Sequence, residues 1–184
     1  GVPNALGLAN VDAVYAQWQS HVYAWNETEL LYLDMANKSL GWRLVSSSNK
    51  PPARKAASMG IWNITGNKPK VNIILIGGML SGGSHLRTVH SVQINIGELS
   101  AQWVDKTTMV PSSASQYIAS KQCVAMLAPG LFDLVGGSGT DFSILRFNTT
   151  SSTNWNVTRF FKDTGSRICG FETAHRSCVR TLHG

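Results

Sequence analysis

One pattern constrains this chain more than any other, because the chain contains it twice. "IILIGG" at 73–78 returns as "LFDLVGG" at 131–137. Each apolar run ends in a glycine doublet and is followed by a polar loop and a second short run, "TVHSVQINI" at 88–96 and "DFSILRFN" at 141–148. Each second run then leads to a tryptophan at the same distance, nine residues from Ile94 to Trp103 and nine from Arg146 to Trp155. The same ending occurs upstream, where Leu33 in "LLYLDMANKSLGW" at 30–42 stands nine residues before Trp42. A unit repeated at this spacing does not bury its own apolar face. It needs neighbours of the same kind.

An apolar strand running into glycines is also how phosphate-binding loops begin. The spacing excludes that reading. Gly77, Gly78, Gly82 and Gly83 do not form G-x-G-x-x-G, and no Lys-Ser or Lys-Thr pair follows. A phosphate loop opens directly into a helix that aims its N–H groups at the anion. Here Val89, Ser91, Gln93 and Asn95 alternate with His90, Val92, Ile94 and Ile96, the period of a strand. The doublets Gly77-Gly78 and Gly136-Gly137 therefore read as structural strand ends, where glycine admits positive φ and close approach of a neighbouring backbone.

The repeat lays out as units of four short antiparallel strands. A partial first unit spans about 20–46, with strands near 20–25, 29–35 and 41–46. A second unit covers 54–105, with strands at 54–63, 70–77, 88–96 and 101–105. A third covers 119–160, with strands at 119–128, 130–136, 142–148 and 154–160, and 173–182 begins a fourth. Four-stranded units with a period near 50 are blades of a β-propeller. On that reading Trp42, Trp103 and Trp155 are residues packed between blades. The expected class is all-β, a propeller incomplete in this chain, with two full blades and partial ones at both ends.

At 184 residues a single domain with a sizeable core is expected. The net charge of +6 is scattered without a run of like charges, so it reads as a solvated basic surface and not a nucleic-acid site. No apolar stretch reaches the ~20 residues that span a bilayer. The opening "GVPNALGLAN" has no signal-peptide pattern and reads as a mature or processed start. Five N-x-Ser/Thr sequons, at Asn26, Asn37, Asn63, Asn148 and Asn156, point to a secreted glycoprotein. The three cysteines leave one unpaired. Cys169 and Cys178, nine apart, are the expected disulfide, with Cys123 buried and free; Cys123–Cys178 is the rival pairing. His85 and His90 read as polar surface residues and not metal ligands.

The strands ending in Gly77-Gly78 and Gly136-Gly137, the tyrosine-bearing "LLYLD" and the tryptophans resemble the kelch family over roughly residues 20–182. The run "LLYLDMANKSLGW…PPARKAASMGIWN…IILIGG" looks like secreted kelch proteins of filamentous fungi. The first unit departs from the pattern, with "HVYAWNETE" where a glycine doublet belongs. The resemblance implies a non-enzymatic module without cofactor, binding an extracellular protein or glycan through loops. The remainder of the same propeller, or further copies of the chain, would close the blade array. One alternative is a structural subunit of an extracellular assembly or filament. Another is part of a galactose-oxidase-like copper enzyme, whose chemistry needs a Tyr–Cys cross-link with Tyr and His copper ligands. The loops 79–87, 105–118 and 161–172 are expected on one contact rim, with Asn37, Asn63 and Asn148 on the other.

Overall fold

The computed structural model describes residues 13–64, 70–96, 98–120, 122–136, 141–148 and 156–162. The protein is all-β, built of several antiparallel sheets, none of them closed. The first sheet is a meander of β1 (Val14–Trp18), β2 (His21–Trp25), β3 (Leu30–Asp34) and β4 (Arg43–Leu44), in that spatial order. The second contains β6 (Ser58–Ile64), β7 (Lys70–Ile76), β8 (Val89–Asn95) and β9 (Ser100–Asp105). The short β5 (Ser46–Ser48) joins its outer edge, parallel to β9. The third is a meander of β10 (Cys123–Ala128), β11 (Leu131–Gly136), β12 (Asp141–Asn148) and β13 (Asn156–Lys162).

The strands of the second and third units fall close to the expected positions, except that the leading strands begin four residues later than read, at Ser58 and Cys123 rather than 54 and 119, because the residues before them belong to the rim connections. The first unit differs. It has four strands, not the three read from sequence, and Val14–Trp18 is the addition. β1 pairs with β2 from Val14 opposite Trp25 to Trp18 opposite His21, so the sheet is regular up to its first strand. The expected start of a fourth unit at 173–182 lies outside the described residues, as do Trp155 and Gly137.

Period-two alternation gives each sheet two faces, and the faces stack in chain order. Tyr23, Trp25, Leu30 and Tyr32 of the first sheet meet Ile61, Val71, Ile73, Leu75, Val92, Ile94 and Trp103 of the second. The other face of the second sheet, with Trp62, Ile74, Ile76 and Val89, meets Phe132, Leu134, Leu145 and Phe147 of the third. Edge-on aromatic pairs mark both seams: Trp25–Trp103 at 5.5 Å between centroids and Trp62–Phe132 at 4.9 Å. Trp42 is buried with Ala24, Leu31 and Leu33 on the outward face of the first sheet. That is the counterpart of the second-sheet face that carries Trp103, so the two tryptophans occupy equivalent faces of successive sheets.

The leading strands lie side by side, β1 against β6 and β6 against β10. Gly60 makes the second approach close. A Cβ there would stand 2.8 Å from the Val124 side chain and 2.9 Å from the Phe132 ring.

Candidate functional site

The connections β2–β3, β4–β6, β7–β8 and β9–β10 meet at one end of the sheets, and Arg54 ties three of them together. Pro51 and Pro52 hold the chain extended as it passes from the first sheet to the second. Arg54 follows, and its N–H donates to the Glu27 carbonyl in the β2–β3 connection at 2.8 Å. The residue is 1% exposed. Nη1 donates to the Gly77 carbonyl at 2.9 Å and to Thr88 Oγ1 at 2.8 Å, and Nε donates to the Pro52 carbonyl at 3.1 Å. Nη2 has no partner among the described residues. Burial pulls the guanidinium pKa down to about 10, with Asp105 opposing the shift.

The glycine doublet is the next knot. Gly77 has φ +63°, and a Cβ there would collide with the Ala119 carbonyl. Gly78, at φ +96°, donates its N–H to that carbonyl at 3.2 Å. Lys55 and Met79 exchange backbone hydrogen bonds of 3.0 and 2.9 Å. Further along, the Gln122 side chain accepts from Ala119 N–H and donates to the Tyr117 carbonyl, both at 2.8 Å, while the Ser58 hydroxyl donates to the Gln122 carbonyl. One hydrogen-bonded network therefore runs across all three sheets at this rim. Of the expected contact loops, 79–87 and 105–118 are described, whereas 163–172 lies outside the described residues.

Beside this network lies a cleft of about 490 Å³ lined by Asn49, Lys50, His90, Gln102, Trp103, Val104 and Asp105. It opens where β5 stops at Ser48 and leaves the last residues of β9 without an outer neighbour. His90 sits at the head of β8 and is 6% exposed, so the expectation of a surface histidine is corrected; His85 is exposed. The cause is register. His90 shares the inward phase of Val92 and Ile94, and it pairs with Leu75 on one side and Asp105 on the other. Burial first, then the Arg54 charge, lowers the His90 pKa, against the pull of Asp105. The Thr107 hydroxyl and N–H hold the Asp105 carboxyl below its usual range. At the cleft mouth Lys50 Nζ contacts both Glu29 carboxylate oxygens, at 2.6 and 2.7 Å.

The sequons lie at both ends of the sheets. Asn37 is exposed in the 3-10 turn from β3 to β4 and accepts from Ser39 Oγ at 2.8 Å. Asn63 lies near the end of β6 and Asn148 at the end of β12, both at strand ends away from the Arg54 rim. Asn26 is on that rim, and its Oδ1 accepts from Glu29 N–H at 2.9 Å, closing a local turn. Asn156 opens β13.

Cys123, at the head of β10, is half-buried and disulfide-bonded. This corrects the expected free thiol. Cys169 and Cys178 lie outside the described residues. In a chain of three cysteines, a bond from Cys123 to either of them leaves no Cys169–Cys178 pair. The sequence argument favoured the short loop because it weighed only separation along the chain.

Among the described residues, no group of three His, Cys, Asp or Glu side chains is placed to hold a metal ion, and no helix is long and apolar enough to cross a membrane. Fold and rim together define an all-β protein of stacked, open antiparallel sheets whose connections gather into a polar, donor-rich surface. No protein-family model matches the chain, and no curated protein matches it.

Proposed function

We propose that the chain is a run of kelch-type propeller blades from a secreted, N-glycosylated protein, acting as a non-enzymatic binding module for an extracellular protein or glycan. One observation carries this reading: three consecutive four-stranded meanders stack face to face in chain order, with β1, β6 and β10 adjacent. Such stacking is what blades set radially with adjacent leading strands would give, and it supports the reading. Three sheets are fewer than the four or more blades of a propeller, so on this reading further blades, from the same polypeptide or from other copies, complete the array. Fold alone assigns no function. The rim adds to it: loops pinned to a rigid scaffold by Arg54 and the glycine doublet present the exposed Leu80 beside polar groups. Three of the sequons stand at the opposite strand ends, away from this rim, and Asn26 alone among the described sequons of the strand connections stands on it.

The test is secretion of the chain from eukaryotic cells, with glycopeptide mapping and binding to arrays of extracellular glycans and proteins. Sugars on Asn37, Asn63 or Asn148 and binding that Leu80→Asp abolishes are expected. An unglycosylated product, or binding indifferent to Leu80→Asp, would sink the reading.

A structural subunit is the second reading, favoured by one feature. The outward face of the first sheet exposes about half of Tyr15 and Leu44, next to the 55%-exposed Leu40. Sedimentation of the native particle separates the two: a stable multimer dispersed by Leu44→Lys favours assembly. The copper-enzyme alternative loses support, because a disulfide-bonded Cys123 has no thiol to give to a tyrosine cross-link.

A further inference from the structure

The described residues hold five buried side-chain polar atoms without a hydrogen-bond partner, and all five belong to one seam. They are Trp25 Nε1, Ser47 Oγ, Arg54 Nη2, His90 Nδ1 and Trp103 Nε1. Trp25 packs edge-on against Trp103, and Ser47 lies opposite Ala101 on the β5–β9 pair. His90 and Trp103 form the inner wall of the cleft, and the Arg54 charge acts on both His90 and Asp105. Buried polar groups elsewhere in proteins are nearly always paired, so a cluster of orphans needs a physical reason.

The orphans share a sign. The two indole nitrogens and Arg54 Nη2 only donate, Ser47 donates readily, and His90 Nδ1 donates in one tautomer. Arg54 makes no ion pair among the described residues, although a buried guanidinium is costly without a counter-charge. Of the five, Trp103 Nε1 and His90 Nδ1 line the cleft; the indole donates and the imidazole donates in one tautomer, which favours an acceptor-rich ligand there. The outer lining has a different character. Asn49, Gln102 and Asp105 are exposed and supply paired donors and acceptors, and Val104 is 47% exposed beside them. Amide and carboxylate groups flanking a small apolar patch match the hydroxyls and C–H face of a sugar ring.

We propose that this cleft binds a uronic-acid residue of an extracellular glycan, with the sugar carboxylate directed to the His90–Trp103 wall and Lys50. Asn49, Gln102 and Asp105 take the ring hydroxyls. Lys50 exchanges its Glu29 contact for the incoming carboxylate. The proposal rests on reading the rim as a binding surface, and it names the ligand class.

The experiment is isothermal titration of the intact glycosylated chain with glucuronate, glucose and acetate. Glucuronate is expected to bind, with glucose and acetate each weaker by roughly tenfold or more, the value of a charge-assisted contact or of the ring contacts. Lys50→Met is expected to weaken glucuronate by a similar factor. His90→Phe keeps a packed ring without the nitrogen; it is expected to abolish the preference for glucuronate over glucose while leaving the unfolding midpoint at or above that of the parent. Equal binding of glucose and glucuronate, equal binding of acetate, or glucuronate binding unmoved by both variants overturns the proposal. Array binding that still depends on Leu80 would then leave the binding-module reading standing, whereas loss of both would remove the two together.

Discussion

Replacing Arg54 with alanine tests the physics of the rim directly. The side chain makes three hydrogen bonds, to the carbonyls of Pro52 and Gly77 and to Thr88 Oγ1. Bonds from a charged donor contribute about 2 kcal/mol each, so about 6 kcal/mol is lost, part of it as buried acceptors left without a donor. Against this stands the burial of the charge. A guanidinium drawn from an ordinary 12.5 to about 10 carries a penalty of about 3 kcal/mol, which alanine relieves. The net expectation is a destabilisation of about 3 kcal/mol. With a urea dependence of about 2 kcal/mol per molar, the midpoint falls by about 1.5 M. Arg54→Lys keeps the charge but not the fork, and falls between the two. Circular dichroism during urea titration reads the shift. A midpoint within about 0.3 M of the parent would refute the claim that this guanidinium clasps the loops.

Two glycines give a matched contrast. Gly77→Ala adds a clash with the Ala119 carbonyl to an unfavourable φ and is expected to cost 3 kcal/mol or more, by roughly the scale of overpacking plus strain. Gly41→Ala, at φ +62° and ψ −167°, also strains the backbone but meets nothing within 4 Å, so roughly 1–3 kcal/mol is expected from strain alone; a cost for Gly77→Ala no greater than this would discount the close approach. The folded-state pKa of His90 lies below its unfolded value near 6.5, so the unfolded chain takes the proton first and stability declines as pH falls through that value. His90→Phe should flatten that slope between about pH 7 and 5; an unchanged slope assigns it to other groups. Non-reducing peptide mapping should recover Cys123 in a cross-linked peptide, and alkylation of Cys123 in the native protein would contradict the disulfide.

What the sequence disclosed follows from how each element is held. β7 was readable as an unbroken apolar run because each of its faces lies in a different seam, and β8 and β12 were readable by alternation, which burial imposed on Val92 and Ile94 and on Leu145 and Phe147. β1 does alternate, with Ala16 and Trp18 toward the second sheet and Tyr15 and Gln17 exposed, but its five residues carry no glycine doublet to mark them as part of the repeat. β5 is three serines, held by backbone pairing to β9 alone, and hydropathy carries no trace of it. His90 was legible in principle, since it keeps phase with Val92 and Ile94. Its type outweighed its phase, because histidine is more often a surface residue. Arg54 offered less. Only the folded loops reveal that Glu27, Gly77 and Thr88 converge on it. The cleft had no sequence signal at all, because its lining comes from three separated stretches.

β5 also changes what counts as a repeat. The leading strand of the second unit begins at Ser58, yet the second sheet takes its outermost strand from Ser46–Ser48, just after the first meander ends. Each boundary drawn by homology between repeats would cut through this overlap. A fragment beginning at the second unit would expose the β9 edge to passing strands. Covalent order and cooperative order are thus out of step by a dozen residues, and amide exchange should show Ser46–Ser48 opening with the second sheet, not with the first.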